Sequence, residues 1–160
     1  MELSGLTNLE LLNLHAQALE ELRRRGLIRS SNNPVGDYAE YLFCKAFGWR
    51  QADNSAKDAD AVGCDGVRYQ IKGRRLTKRN MSRQLGALRR LPEKNFDILA
   101  GVLFNEDFSI RRAALAPHAV VEDRATYVDA TKSWRMMLTE DVWTCQGVTD
   151  VTAALIAASA

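Results

Sequence analysis

At 160 residues, 46% apolar and 26% charged, the chain has the make-up of an ordinary soluble globular protein, long enough to bury one core as a single domain without covalent or metal staples. Its three cysteines, Cys44, Cys64 and Cys145, form no Cys-x-x-Cys pair, which argues against a disulfide framework and structural zinc and points to a reducing, cytoplasmic setting. The first residues lack the basic and apolar regions of a signal peptide, no apolar run approaches the length of a membrane span, and the net charge is only +2.

Thr7 and Glu10 have the spacing of a capping box, and Leu9, Leu12, Ala16 and Leu19 recur at three-and-four intervals. Arg23-Arg24-Arg25-Gly26 then supplies a cationic last turn and a glycine stop, so a helix is expected over about 8–25. Leu11, Leu14 and Leu22 widen its apolar stripe, so it is either packed on the domain or shared with a second subunit in a homodimer. His15 reads as a surface or boundary histidine. Asn33-Pro34 marks the next helix start, with proline at the first helical position, and Val35, Tyr38, Ala39, Leu42, Phe43, Ala46 and Phe47 form a core stripe that Gly48 ends. On that helix the dipole accounts for Asp37, whereas Glu40, three residues on, lies deeper. Residues 49–57 read as an edge strand and a polar loop containing Asn54 and Ser55.

The next stretch is the most informative. Val67, Tyr69, Ile71 and Gly73 alternate with Arg68, Gln70, Lys72 and Arg74, giving a strand over 67–73 with one apolar and one polar face. Asp65-Gly66 is a turn signal able to fold residues 59–63 back on that strand, which would bring Asp60 beside Gln70 and Lys72. A carboxylate, an amide oxygen and an ammonium gathered at a sheet edge can hold a hard cation and orient water, as phosphodiester hydrolysis requires. Alternation by itself usually marks a plain solvent face; what sets this strand apart is the basic tract it runs into and the helix with Glu40 that precedes it.

Beyond Lys72 the chain is strongly basic. Ten Lys and Arg residues between Arg68 and Lys94 stand against Glu93 alone, which puts +9 on this segment and −7 on the rest of the chain. A concentrated charge of this kind suits a polyanionic partner, although such runs are often merely solvated. Residues 73–80 read as a loop, and Met81, Leu85 and Leu88 as a helix over about 81–91 that carries Arg79, Arg83 and Arg90 on another face and stops at Pro92. Phe96–Phe104 is a buried central strand, 105–107 a turn, and Phe108–Leu115 its antiparallel partner. Pro117-His118 opens a short helix reaching about Arg124, with no visible partner for His118, and an Ala-rich helix spans about 149–158. The whole amounts to an α/β fold: a mixed β-sheet flanked by helices, with an N-terminal helix and a C-terminal helical extension.

Gly36-Asp37-Tyr38-Ala39-Glu40, Phe47-Gly48-Trp49, Asp60 and Gln70-Ile71-Lys72 resemble, in order and spacing, the nuclease superfamily marked by the PD-(D/E)xK motif, over about residues 35–115. Gln70 stands where most members carry Glu or Asp; Gln-x-Lys variants occur in Mrr-type restriction nucleases of that superfamily, and the change removes one negative charge from the metal site. The resemblance implies a restriction-endonuclease-like core and a metal-dependent DNA endonuclease, with Glu40, Asp60, Gln70 and Lys72 catalytic. It further implies that Glu40, Asp60, the Gln70 side-chain oxygen and the Ile71 carbonyl hold Mg²⁺ or Mn²⁺. Arg74, Arg75, Lys78, Arg79, Arg83 and Arg90 would then contact duplex DNA through its phosphates. The alternative is a non-catalytic nucleic-acid-binding module on the same fold, which the missing carboxylate at position 70 favours; an ordinary interaction protein with an acidic partner is a third. No phosphate-cradling glycine loop, nucleophile elbow, zinc-ligand array or dinucleotide fingerprint is present.

Overall fold

The computed structural model describes residues 2–53 and 59–160, so the expected loop with Asn54 and Ser55 lies outside the described residues. Helix α1 (Asn8–Arg24) starts at the expected capping box, in which Thr7 Oγ1 accepts the Glu10 N–H and the Glu10 carboxylate accepts the Thr7 N–H. Gly26, at φ 75°, turns the chain away at its other end. The helix buries none of its residues, and Leu9 and Leu12 are 68% and 66% exposed. Packing of α1 on its own domain, one of the two expectations, is therefore not what the chain adopts.

Helix α2 (Val35–Phe47) begins one residue after Pro34, with Asn33 Oδ1 accepting the Val35 N–H, and ends at Gly48 in the left-handed region. Its buried stripe of Ala39, Leu42 and Phe43 lies on a sheet assembled from β1 (Arg50–Gln51), β2 (Ala61–Val62), β3 (Arg68–Arg75), β4 (Ile98–Phe104) and β5 (Ile110–Pro117). Helix α3 (His118–Arg124) follows, then β6 (Thr126–Val128) and β7 (Ser133–Arg135), which pair as a separate ribbon, then β8 (Thr149–Asp150) and helix α4 (Thr152–Ser159). The main sheet has the order β1-β2-β3-β4-β5-β8, and only β3 and β4 are parallel, so the α/β class and the mixed sheet are as expected.

The sheet separates two cores. One joins Leu42 and Phe43 of α2 and Leu155 of α4 to Ile71, Val102 and Phe104; the other gathers Leu85, Leu88, Met136 and Leu138 over Leu99 and Leu103. Strand β4 is covered on both faces, which is why its sequence is an unbroken apolar run. A stack of Phe43, Trp49 and Tyr69, with ring centroids 5.8 Å and 3.6 Å apart in turn, locks the end of α2 to β3.

The expected helix over 81–91 does not form. Residues 81–90 bond to the chain near β7 instead: Leu85 N–H donates to the Met136 carbonyl, and Leu88 exchanges both backbone bonds with Trp134. Leu85 and Leu88 are buried as the helical spacing suggested, but Gly86 weakens the local helix and the partner strand wins. A single 3₁₀ turn, Leu91–Glu93, precedes β4. His118, read as lacking a partner, is buried with Nε2 2.8 Å from the Leu91 carbonyl oxygen. All three cysteines are free, and no helix among the described residues is long and apolar enough to cross a membrane.

Candidate functional site

The turn after β2 fixes the site. Gly66 takes φ 82°, Asp65 Oδ1 accepts the Val67 N–H, and Gly63 N–H donates to the Val67 carbonyl, which pairs Ala61 with Tyr69. Asp60, one residue before β2, consequently lies at the open edge of β3. One carboxylate oxygen, Oδ2, accepts both the Ile71 N–H at 2.7 Å and the Gln70 side-chain amide at 2.5 Å. The expected neighbourhood of Asp60, Gln70 and Lys72 thus forms, with the direct bonds going to residues 70 and 71. Among the described residues the Lys72 ammonium makes no hydrogen bond or ion pair, but its charge favours ionised Asp60. Its stem packs by Gly86, where a Cβ would sit 3.6 Å from Lys72 Cδ.

Glu40 reaches the same place from the second turn of α2, beside its buried stripe. Its Oε2 accepts from Gln51 on β1 at 2.8 Å and from the Arg29 guanidinium at 2.8 Å, and Arg29 also donates to the Ala52 carbonyl. Arg29 and Gln51 escaped the sequence reading because no local spacing links either to residue 40. Arg29 is held there by Asp37, whose Oδ2 accepts the N–H groups of Arg29 and Ser30 and the Ser30 hydroxyl. Asp37, attributed above to the helix dipole, therefore pins the α1–α2 connector. Burial alone would raise the Asp37 carboxyl, but these hydrogen bonds and the Arg29 charge hold it below the ordinary carboxylate range.

Asp60 and Glu40 shift the other way. Burial pushes the Asp60 carboxyl up against the pull of Ile71 N–H, the Lys72 and Arg29 charges and Gln70. Burial likewise raises Glu40, with repulsion from Asp60 adding to it and Gln51 and Arg29 opposing. Two buried carboxylates sharing a site in this way favour a cation between them.

The donor set suits a hard dication. Among the described residues nothing donates to Asp60 Oδ1, Glu40 Oε1 or Gln70 Oε1, since the bonds fall on the other oxygen or on the amide nitrogen. In an extended strand a residue's N–H and C=O point to the same edge, so the Ile71 carbonyl faces the side where its N–H meets Asp60, beyond the last backbone pairing of β2. Four oxygens and no soft ligand match Mg²⁺ or Mn²⁺, which keep waters of their own. Among the described residues no group of three or more His, Cys, Asp or Glu side chains gathers anywhere.

The basic segment is divided by its partners. Arg83 pairs with Glu140 at 2.6 Å and Arg90 with Glu93 at 3.4 Å, so two of the six proposed DNA contacts are already engaged with acids. Arg74 donates Nε to the Ser82 carbonyl, and the Arg75 guanidinium lies 4.5 Å from the centre of the Phe108 ring. Lys78 and Arg79 are exposed in the turn that follows, and no carboxylate pairs with Arg74, Arg75, Lys78 or Arg79 among the described residues. No family model matches the chain, and no curated protein matches it.

Proposed function

We propose that the protein is a divalent-metal-dependent endonuclease that hydrolyses phosphodiester bonds in duplex DNA, on the restriction-endonuclease-like fold of the PD-(D/E)xK superfamily and in the cytoplasm. The observation that carries this reading is the meeting of Asp60, Glu40, Gln70 and the Ile71 carbonyl at one sheet edge, on the strand that bears Lys72. Bound Mg²⁺ or Mn²⁺ would polarise the phosphoryl oxygen and lower the pKa of water. Asp60 and Glu40 would hold the ion, Gln70 and Ile71 would complete its oxygen set, and the Lys72 ammonium would stabilise charge that grows on the scissile phosphate.

Nicking of supercoiled plasmid in Mg²⁺ or Mn²⁺, with EDTA as control, tests the activity. Lys72→Ala is expected to fold normally, to bind DNA nearly as well, and to lose cleavage by about 10²–10³-fold, the cost of one preorganised donor. Equal nicking by wild type and Lys72→Ala would overturn the assignment of this strand.

A second reading, a nucleic-acid-binding module without catalysis, draws on the Arg29–Glu40 pair. With Gln70 neutral, the charges of Asp60, Glu40, Arg29 and Lys72 cancel, leaving little to attract a dication. Gln70→Glu separates the two: a module that gains Mn²⁺ binding and nicking only in this variant is the second reading, whereas wild-type nicking is the first.

A further inference from the structure

We infer that the cavity between the start of α2 and the end of β3 is a binding site for a backbone phosphate of a polynucleotide, set apart from the residues around Asp60. The cavity has a volume of about 470 Å³, and its polar side chains are Asn33, Arg74, Arg75, Thr77 and Asn80, with no carboxylate among its lining residues. The hydrogen bonds of these residues have a common sense. Asn33 Oδ1 already accepts the Val35 N–H, Asn80 Oδ1 the Ser82 N–H, and Thr77 Oγ1 the Asn80 N–H. Arg74 has given Nε to the Ser82 carbonyl, and Arg75 Nε is buried with no acceptor among the described residues. What remains open to a ligand is two amide NH₂ groups, a hydroxyl hydrogen and the terminal guanidinium N–H groups, beside oxygens that each already hold one N–H.

A cavity whose side-chain oxygens each already hold a backbone N–H while its side-chain donors stay open, beside two cations, favours a ligand that accepts and carries negative charge. A phosphate group is such a ligand, and Arg74 and Arg75 present it with planar forks. The space is open: a Cβ on Gly36, in the cavity wall, would meet nothing within 4 Å. The polynucleotide is favoured over a free phosphate by what surrounds the cavity. Exposed Lys78 and Arg79 continue the positive surface on one side, and Lys72, on the same strand face as Arg74, lies two residues back along β3. Two residues of strand span about 7 Å, the axial length of about two phosphates on one DNA strand at about 3.4 Å each. The inference rests on the nucleic-acid half of the function proposed above and is independent of metal and hydrolysis.

Two substitutions test it without dismantling the turns. Asn33→Asp and Asn80→Asp each keep the oxygen that holds the Val35 or Ser82 N–H while replacing a donor by a negative charge, and position 33 lies just ahead of α2, where the helix dipole favours an anion. Binding of a labelled DNA duplex by the full chain is measured by anisotropy in EDTA over a salt series, with Gln146→Glu, an exposed position, as the control for net charge. Each cavity variant is expected to weaken binding by about tenfold or more, the scale of a charge-assisted hydrogen bond, and to lower the slope of log affinity against log salt by about one. Gln146→Glu should change affinity less than the cavity variants do. Wild-type affinity in both cavity variants, or no DNA binding by the wild type, would overturn the inference. Pyrophosphate at matched ionic strength provides the other arm: if it stabilises wild type but not Asn80→Asp while duplex affinity is equal in the two, the site takes free phosphate and the polynucleotide assignment falls. Wild type that binds through the cavity in EDTA and never cuts would support this inference and overturn the nuclease alone.

Discussion

Gly73→Ala is the sharpest test of how the site is built, because Gly73 lies where α2 touches β3, between the helix that carries Glu40 and the strand that carries Lys72. A methyl group there would sit 3.0 Å from Ala39 Cβ, 3.1 Å from the Val35 carbonyl oxygen and 3.3 Å from Phe104 Cε2. Carbon atoms rest about 3.5–4.0 Å apart, so the Ala39 contact is too short by about 0.5–1 Å. Neither a Cβ nor a backbone oxygen can swing aside; α2 must retreat as a body. Overpacking of this kind costs about 1–3 kcal/mol, and at about 2–4 °C per kcal/mol for a chain of this size the melting temperature should fall by about 2–12 °C. Because Glu40 follows Ala39 on the same helix, it moves away from Asp60 with it, and a displacement near 1 Å costs on the order of 10²-fold in turnover. Gly101→Ala is the control: in register with Lys72 on β4, its methyl would meet only the flexible ends of Leu138 and Leu85 on the opposite face, at 3.0 and 3.6 Å. Thermal melts and Mn²⁺ calorimetry on both variants decide the matter. If Gly73→Ala matches Gly101→Ala in both readouts, the α2–β3 seam does not set the site.

The charged groups make three further predictions. Burial raises the carboxyls of Asp60 and Glu40, so their contribution to stability is complete below the ordinary carboxylate range and is lost as pH rises through their raised values; Asp60→Asn should therefore melt higher than wild type at pH 7 yet lose the rise that Mn²⁺ gives the wild type, and a lower melting temperature would contradict the sign. Asp37 is depressed, so its contribution is present above the ordinary range and lost as pH falls: wild type should exceed Asp37→Asn by about 1–3 kcal/mol in urea unfolding at neutral pH, and the gap should narrow as pH falls below the usual Asp value of about 3.9 and vanish only beneath its depressed folded value. Arg29→Ala removes the cation opposite Glu40 and should tighten Mn²⁺ binding in calorimetry; weaker binding would mean that Arg29 serves to hold Glu40 in place.

How far the sequence reveals the site depends on the distance over which each contact acts. The alternation through β3 was legible because one face is buried, as Tyr69 and Ile71 are, and a slip of one residue would expose both. The placing of Asp60 was legible because a short turn at Asp65-Gly66 leaves little freedom of register. Helix α2 announced itself by its stripe and its glycine stop. By contrast, residues 81–90 carry leucines at a spacing that suits a helix, and what makes them extended is pairing with Trp134 and Met136, far along the chain. The same applies to charge: that Arg83 is matched by Glu140, 57 residues on, cannot be read from a count of basic residues. Arg29 reaches Glu40 only because Asp37 captures the connector, a contact that two overlapping helix signals conceal.

The bareness of α1 has a consequence for handling the molecule. Among the described residues, Ile28 is the first fully buried side chain and Arg29 the first that touches the Glu40 cluster. Gly26, in its left-handed conformation, marks the seam, and the stretch before it contributes exposed leucines but no core. In engineering terms this is a natural junction. A tag, a reporter or a heterologous targeting module joined ahead of Leu27 would replace a helix on which the packing of the sheet does not depend, and would leave the machinery around Asp60 with its own supports.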